Sequence, residues 1–282
     1  MIDNSQLQTF KDCPERYRLH YIEGLQKRDE GRDEHDKNFG KAIHSALESY
    51  YTNGDIEASK AAFKADYPEQ LNVDDNAKTQ ETGIILIEAY AKHYAQEDKG
   101  WEILSVEVKD SFKIQDIEFL VKIDLVVKKQ GCVYFVDHKT TGKAFNWMYW
   151  SRFEPNPQIT AYTAYCQAKY GECSGGIINA LRFGHRQRAY KGEPAGFYYE
   201  FQRQLFNRNK YQVESWKKDQ IKWNKKFALE VELEKQLSDG GVWTKNEGQC
   251  GYCSYKEVCI SCNDLQIKEQ LYETVNPMEY LK

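Results

Sequence analysis

The chain has 282 residues, 41% of them hydrophobic and 29% charged, with a formal net charge of −4. That balance is ordinary for a soluble globular protein, and the length is enough for one large domain or two small ones and to bury a real core. No stretch approaches the roughly 20 apolar residues of a membrane span, and Met1 to Gln6 lack the basic-then-apolar pattern of a secretory signal.

Ser5 to Tyr21 reads as a short helix, with a Ser cap and Leu7, Phe10 and Tyr17 at near-helical spacing. Gln26 to Asn38 is charged and Gly-containing, the pattern of a mobile loop. Phe39 to Tyr51 is a second helix, stopped by Thr52-Asn53-Gly54-Asp55. Ile56 to Gln96 is helical with an interruption at Tyr67-Pro68. The pattern switches to strand at Trp101 to Phe112. Phe119 to Val127 and Cys132 to Asp137 continue an antiparallel meander, with Lys128 to Gly131 as a hairpin turn. Thr141 to Asn156 is an irregular, aromatic-rich connection and Pro157 to Tyr170 a helix. Gly175 to Arg182 and Gly196 to Leu205 are strands, Asn209 to Leu237 is a long polar helix, and Gly240 to Lys282 is a cysteine-bearing tail without a strong period. Strands followed by a helix and a return strand predict an α/β layered core.

The charge is uneven. Between Arg182 and Lys226 twelve Arg/Lys face four acids, a local excess of +8 that leaves the rest of the chain near −12. A basic segment carrying Phe, Tyr and Trp fits a phosphate backbone with bases stacked nearby. A solvated helix face gives the same charge pattern.

The most informative residues are Asp124, near the end of the first hairpin strand, and Asp137 and Lys139, at the end of the second. Alternation along a strand puts Asp137 and Lys139 on one face and His138 on the other. Adjacent strand ends bring the two carboxylates close enough to share one Mg²⁺ or Mn²⁺. Lys139 would then orient a water or stabilise charge on phosphorus oxygens. This set suits metal-assisted phosphodiester hydrolysis, although Asp-x-Lys at a strand end is also common as a surface pair.

The succession of apolar strand, Ile123-Asp124, turn, apolar strand and Asp137-His138-Lys139 resembles the PD-(D/E)XK nuclease superfamily, in particular its RecB-like exonuclease branch. Gly40-Lys41-Ala42-Ile43-His44 is similar to that branch's Gly-x-x-x-His element, which implies that His44 completes the metal site. An imidazole ligand favours Mn²⁺ over Mg²⁺ somewhat. Gln158-Ile159-Thr160-Ala161-Tyr162 matches its Gln-x-x-x-Tyr, with both side chains on one helix face. The resemblance implies that Gln158 contacts the active site or DNA, with Tyr162 beside it. Glu107 lies in the preceding strand, where the family often has an acid; by itself it reads as a surface carboxylate. The implied catalytic set is Asp124, Asp137, Lys139, Gln158 and Tyr162, with His44, Asp124, Asp137 and His138 as metal ligands.

The implied fold is α/β, a restriction-endonuclease-like core with a mixed central sheet flanked by helices. A single nuclease domain, 1–282, would comprise an N-terminal helical segment (1–38), the core (39–205, with a helical insertion at 55–97), a basic long helix (206–239) and a C-terminal cysteine segment (240–282).

Eight cysteines are too many to read as disulfides in a reducing compartment. Cys250, Cys253 and Cys259 form a C-x2-C-x5-C run that lacks a fourth thiolate, and Cys13 is the remote candidate. One early and three late cysteines around these motifs resemble the iron–sulfur nucleases of the AddB type and the CRISPR-associated RecB-like nucleases. The resemblance implies a structural [4Fe–4S] cluster on Cys13, Cys250, Cys253 and Cys259. Four thiolates serve zinc as well, and Cys262 makes a C-x2-C-x5-C-x2-C run that closes a local site without Cys13. Either group would join the first helix to the last segment and supply folding free energy to a tail with little core. Cys132, Cys166 and Cys173 are expected as buried small apolar residues.

No G-x-x-x-x-G-K-[ST], Gly-x-Ser-x-Gly or His-Glu-x-x-His is present, which argues against an NTPase, an α/β-hydrolase or a zincin. The resemblance implies a metal-dependent DNA exonuclease acting on single strands or free ends in recombination, repair or replication-linked processing. The aromatic connection (Phe145, Trp147, Tyr149, Trp150) and the basic segment would hold the strand. The competing expectations are a non-catalytic iron–sulfur DNA-end-binding adaptor and a trimming subunit of a larger recombination or CRISPR-adaptation complex. A homo-oligomer or a recombination-complex partner stays open. The expected setting is cytoplasmic, in a bacterium or for a phage protein in its host, with no membrane partner.

Overall fold

Caps and breakers in the sequence set where the elements start and stop. The structure, a computed structural model, describes residues 2–28, 31–69, 77–189, 192, 194–237 and 243–276, with the backbone alone for 31–36. In chain order the helices and strands are α1 (Asn4–Asp12), α2 (Pro14–Tyr17), β1 (Leu25–Lys27), α3 (Gly31–Asn53), α4 (Ile56–Asp66), α5 (Gln80–Asp98), β2 (Trp101–Ile114), β3 (Ile117–Lys129), β4 (Cys132–Thr141), α6 (Trp147–Ser151), α7 (Pro157–Tyr170), β5 (Gly175–Arg186), β6 (Gly196–Asn207), α8 (Lys210–Leu237), α9 (Lys256–Ile260), α10 (Leu265–Leu271) and β7 (Tyr272–Thr274). No helix among the described residues is long and apolar enough to cross a membrane.

The expected elements are present, with shifted ends. The first helix is capped by Asp3 rather than Ser5 and breaks at Cys13, which is extended. The following Pro14 disfavours helix at the residue before it and is itself suited to the first turn of α2. The stretch read as a loop to Asn38 is helical from Gly31. α7 runs over Pro157–Tyr170 as expected, because Asn156 caps it, Pro157 opens it and Gly171, at φ +88, ends it. The tail holds a 3-10 turn (Glu247–Tyr252), α9, α10 and β7 where no period was visible.

The sheet has five strands in the order β2-β3-β4-β5-β6. β3 and β4 pair antiparallel, β4 and β5 parallel with α7 as the crossover, and β5 and β6 antiparallel. A mixed sheet flanked by helices is the expected restriction-endonuclease-like architecture. The parallel β4–β5 pair requires a crossover of this length, whereas the neighbouring antiparallel pairs need only turns.

The chain divides into two compact units. One comprises Gly31–Val108 and Lys122–Val213. Its core includes Phe39, Ile43 and Leu47 of α3, Phe63 and Tyr67 near α4, Leu86 and Tyr90 of α5, and Leu181 and Phe183 of β5. A second cluster, on Leu125, Val127, Val136 and Ile177, lies across the strands. The other unit comprises Met1–Glu30, Lys109–Val121 and Glu214–Lys282. Phe10, Tyr17 and Trp243 pack there with Phe227, and the Tyr17 and Trp243 rings stack at 6.0 Å. Buried Glu15 ties α2 to the tail: its carboxylate holds Arg18 by two 2.8 Å bonds and accepts the Trp243 N–H at 2.8 Å.

Gly175 begins β5 at φ +150, and a methyl there would lie 2.1 Å from the Phe206 backbone oxygen, which has no side-chain freedom with which to yield. Gly175→Ala is therefore expected to lower stability by about 3 kcal/mol through combined backbone strain and overpacking, measured as a shift of the urea midpoint.

Candidate active site

The site begins where two strands stop pairing. The β3–β4 ladder runs from Lys129↔Cys132 to Leu125↔Val136 and ends. β4 continues beside β5 as far as Thr141↔Arg182. At the end of the β3–β4 ladder the Asp124 side chain takes over, accepting the His138 N–H on Oδ2 at 2.7 Å. The carboxylates of Asp124 and Asp137 are thus placed around the gap between the parting strands.

α3 brings His44 to this gap. Its Nδ1 lies 3.4 Å from Asp124 Oδ1, with the two side chains 31% and 11% exposed. Gly40, one turn earlier, explains the glycine of the motif: an added Cβ would sit 3.2 Å from Thr140 Oγ1, so a small residue lets α3 approach the end of β4.

Glu107 is the residue that the sequence reading undervalued. It is not a free surface carboxylate: its side chain is 16% exposed and pairs with Lys122 at 3.4 Å. Its backbone has φ +45 within a strand, a conformation that non-glycine residues adopt mainly where surrounding structure enforces it. Among the described residues one group of three potential metal ligands comes together: His44, Glu107 and Asp124 each offer an atom, all within 4.8 Å of one another. Asp137 lies outside that group, holding the Lys139 ammonium with Oδ1 at 3.0 Å and Oδ2 at 2.8 Å.

The electrostatics fit a cation. Burial opposes ionisation of Asp124, but His44, through charge and hydrogen bond, then His138 and Lys139, outweigh it and hold the carboxyl well below its usual range. Burial raises Asp137, and Asp124 adds to the rise while Lys139 opposes it. Burial and then Asp124 raise Glu107. Burial works against a charge on His44, yet Asp124 and Asp137 raise it above the ordinary 6.5. Two acids whose ionisation burial and Asp124 disfavour, beside an imidazole whose protonation the carboxylates favour, make a site that gains from added positive charge. A hard divalent ion with room for water meets that need.

Gln158 and Tyr162 sit one turn apart on α7, as the spacing requires, and Gln158 Nε2 donates to the Tyr162 hydroxyl at 2.9 Å. That hydroxyl donates in turn to the Lys122 carbonyl, two residues before Asp124, and the Tyr162 ring meets Phe135 edge-on at 5.3 Å. The pair therefore holds the β3 backbone near Asp124, and neither belongs to the three-ligand group.

His138 is placed differently from the other candidate ligands. Its ring lies on the opposite face from Asp137 and Lys139, stacks on Tyr51 at 5.8 Å and accepts a 2.7 Å hydrogen bond at Nδ1 from Asn179. Burial pushes it down to about 3, so the ring is neutral. Behind it lies a buried polar network invisible to motif reading. Asn179 also donates to the Tyr90 hydroxyl at 2.8 Å and accepts from Arg203 Nε at 3.3 Å. Arg203 reaches Asp98 and the hydroxyls of Tyr51 and Tyr90, and its guanidinium lies 3.5 Å from the Tyr94 ring centre and 4.2 Å from that of Trp101. The sequence clues are Asn179 within the otherwise apolar run from Gly175 to Leu181 and Arg203 in the middle of β6. The ring of His138 meets that of His44 at 6.0 Å, so the network ends against a candidate ligand.

Three other expectations change. The basic segment is not one surface, because Arg208 is buried and the Arg203 side chain is only 6% exposed, and both are hydrogen-bonded within their unit. Of the aromatic connection, Tyr149 and Trp150 are buried while Trp147 is exposed. Cys166 and Cys173 are buried as expected, whereas Cys132 is exposed at the hairpin turn.

The PD-(D/E)XK nuclease superfamily matches residues 4–260, and the chain belongs to it. Membership implies a nuclease that uses divalent metal. No curated protein matches the sequence.

The ligand group gives a direct expectation for metal binding. Glu107→Gln should weaken Mn²⁺ by about ten- to a hundredfold, the scale of lesions at or next to metal ligands, by isothermal titration. Because His44 must lose a proton before its nitrogen can bind, wild-type affinity should rise with pH, up to about tenfold per unit below the His44 pKa and levelling above it. A flat profile with an unaffected Glu107→Gln would remove these residues as ligands.

Proposed function

We propose that the chain is a divalent-metal-dependent DNA exonuclease of the RecB-like branch, acting on single strands or free ends. The observation that carries this is the convergence of His44, Glu107 and Asp124 next to the Asp137–Lys139 pair. His44, Glu107 and Asp124 would hold the ion, with Asp137 completing the acid set. When bound, a divalent ion there offsets phosphate charge and makes water more acidic at neutral pH. Lys139 Nζ, held by Asp137, presents an ammonium to the phosphoryl oxygens as charge builds on them. Burial disfavours that charge, but Asp137 and Asp124 outweigh the effect and keep Lys139 protonated. Gln158 and Tyr162 position the β3 backbone, and His138 fixes Asp124 through its N–H.

Digestion of end-labelled single-stranded DNA with Mn²⁺, with Mg²⁺ and with chelator tests this. Wild type should release label only with metal. Asp124→Asn and Asp137→Ala should each lose at least about a thousandfold in rate, the scale of removing a central electrostatic group, with unchanged circular dichroism. Full activity in both variants would overturn the assignment. Binding without cleavage under either metal would leave a DNA-end-binding adaptor in its place.

The second component of the reading is a [4Fe–4S] cluster on Cys13, Cys250, Cys253 and Cys259. A cavity of about 310 Å³ supports it, lined by these four cysteines and Cys262. Cys13 and Cys250 act electrostatically on both Cys253 and Cys259, whose thiols are raised chiefly by burial. Cys262 is exposed, at φ +55. Among the described residues the cysteines form no group of three with sulfurs within 4.8 Å of one another. Tetrahedral zinc, with Zn–S near 2.3 Å, needs sulfurs about 3.8 Å apart; a cubane with an iron at each corner spreads its thiolates wider. Protein purified without oxygen should carry about four irons per chain. Cys13→Ser and Cys253→Ser should lose the iron and the visible absorbance, and Cys262→Ser should keep both. Stoichiometric zinc without iron would overturn the cluster.

A further inference from the structure

α6 is one helical turn, yet it is firmly seated. Asn146 caps it, accepting the Tyr149 N–H at 3.0 Å. Tyr149 and Trp150 turn inward onto Phe145, Phe153 and Phe206, with ring centres 5.2 to 6.3 Å apart. The two residues before them turn outward: Trp147 is 81% exposed and Met148 73%. A large aromatic and a large thioether side by side in water, on a turn fixed by its own buried aromatics, form a presented surface rather than a loose loop.

Its surroundings identify what the surface would take. The Arg152 guanidinium lies over the Tyr149 ring at 4.2 Å and the Phe153 ring at 4.7 Å, which fixes an exposed cation one residue beyond the helix. β4 carries Asp137 and Lys139 and ends at Thr141, and only residues 142–146 separate it from α6, so α6 borders the candidate active site. Lys143 is exposed between β4 and α6. A flat apolar face bordered by cations, next to a site for phosphodiester chemistry, matches a nucleotide: a base for the indole and phosphates for Arg152 and Lys143. Bases within a duplex already stack on one another, whereas an unpaired base has a free face. Methionine adds a polarisable, adaptable contact.

We propose that Trp147, flanked by Met148, stacks an unpaired nucleobase next to the scissile phosphate and so selects single-stranded DNA. This rests on the nuclease reading for its biological sense, but its test does not depend on cleavage. Fluorescence anisotropy of labelled single-stranded oligonucleotides, in chelator, compares wild type with Trp147→Ala and Trp147→Phe. A second oligonucleotide series carries one abasic site, moved along the strand.

Stacking of one base corresponds to a roughly 5- to 150-fold change in affinity. Wild type should lose about that factor when the abasic site reaches one position. Trp147→Ala should bind intact strand that much more weakly and be indifferent to the abasic site, and Trp147→Phe should retain most of the affinity and the sensitivity. A duplex of the same sequence should bind wild type and Trp147→Ala alike. Equal single-strand affinity of wild type and Trp147→Ala, an unchanged abasic profile, or no binding of single strands by wild type would each overturn the proposal. Cleavage assays on the same proteins report separately on the nuclease: active Trp147→Ala with unchanged binding removes the stacking residue and leaves the nuclease reading intact.

Discussion

The hydrogen bond from the His138 N–H to the Asp124 carboxylate is the constraint on which the site depends. A backbone donor where a ladder ends must find an acceptor, and buried donors without one are costly. Here the neighbouring strand withdraws after Leu125 and leaves a side chain to do the pairing. That exchange fixes Asp124 at the mouth of the gap, with its other oxygen toward His44. It also explains why strand pairing and acid placement cannot be varied independently: moving the register by one residue would turn Asp137 and Lys139 to the face now occupied by His138.

On that other face, the buried Arg203 network is the counterweight. A guanidinium and the Asp98 carboxylate are removed from water together, which is tolerable only because tyrosine hydroxyls and Asn179 satisfy the remaining donors and acceptors. Burial opposes the charge of Arg203, and the tyrosines and Asp98 around it more than offset that. The network makes a rigid, neutral backing of the His138 ring. His138 is thereby a support whose main chain serves the acid site and whose side chain serves the interior.

Much of this was legible in the residues. The hairpin bearing Asp124 and Asp137, the crossover helix between parallel strands and the one-face pairing of Gln158 with Tyr162 follow from alternation, caps and helical spacing. Glu107 stood out only through its position in the family pattern, because its inward aim depends on a positive φ that no local propensity announces. The Arg203 network was hidden for another reason: its members are contributed by α3, α5, β4, β5 and β6, and only tertiary packing gathers them. The aromatic connection read as a uniform binding stretch, whereas a single helical turn sorts its members into a buried base and an exposed pair. Helix from Gly31 was masked by a charged composition that suits a solvated helix as well as a loop.

The second unit is assembled from Met1–Glu30, Lys109–Val121 and Glu214–Lys282. Its cysteine cavity takes one wall from Cys13, Glu15, Arg16 and Leu19 and the rest from residues after Trp243. On a ribosome, Cys250 emerges more than two hundred residues after Cys13, so this unit cannot close until that later segment has been made. The sequence-continuous stretches that supply His44, Asp124 and Asp137 are all synthesised by then. Vectorial synthesis therefore imposes an order of maturation, in which the residues proposed to cut DNA are in place before the thiols proposed to carry iron can meet.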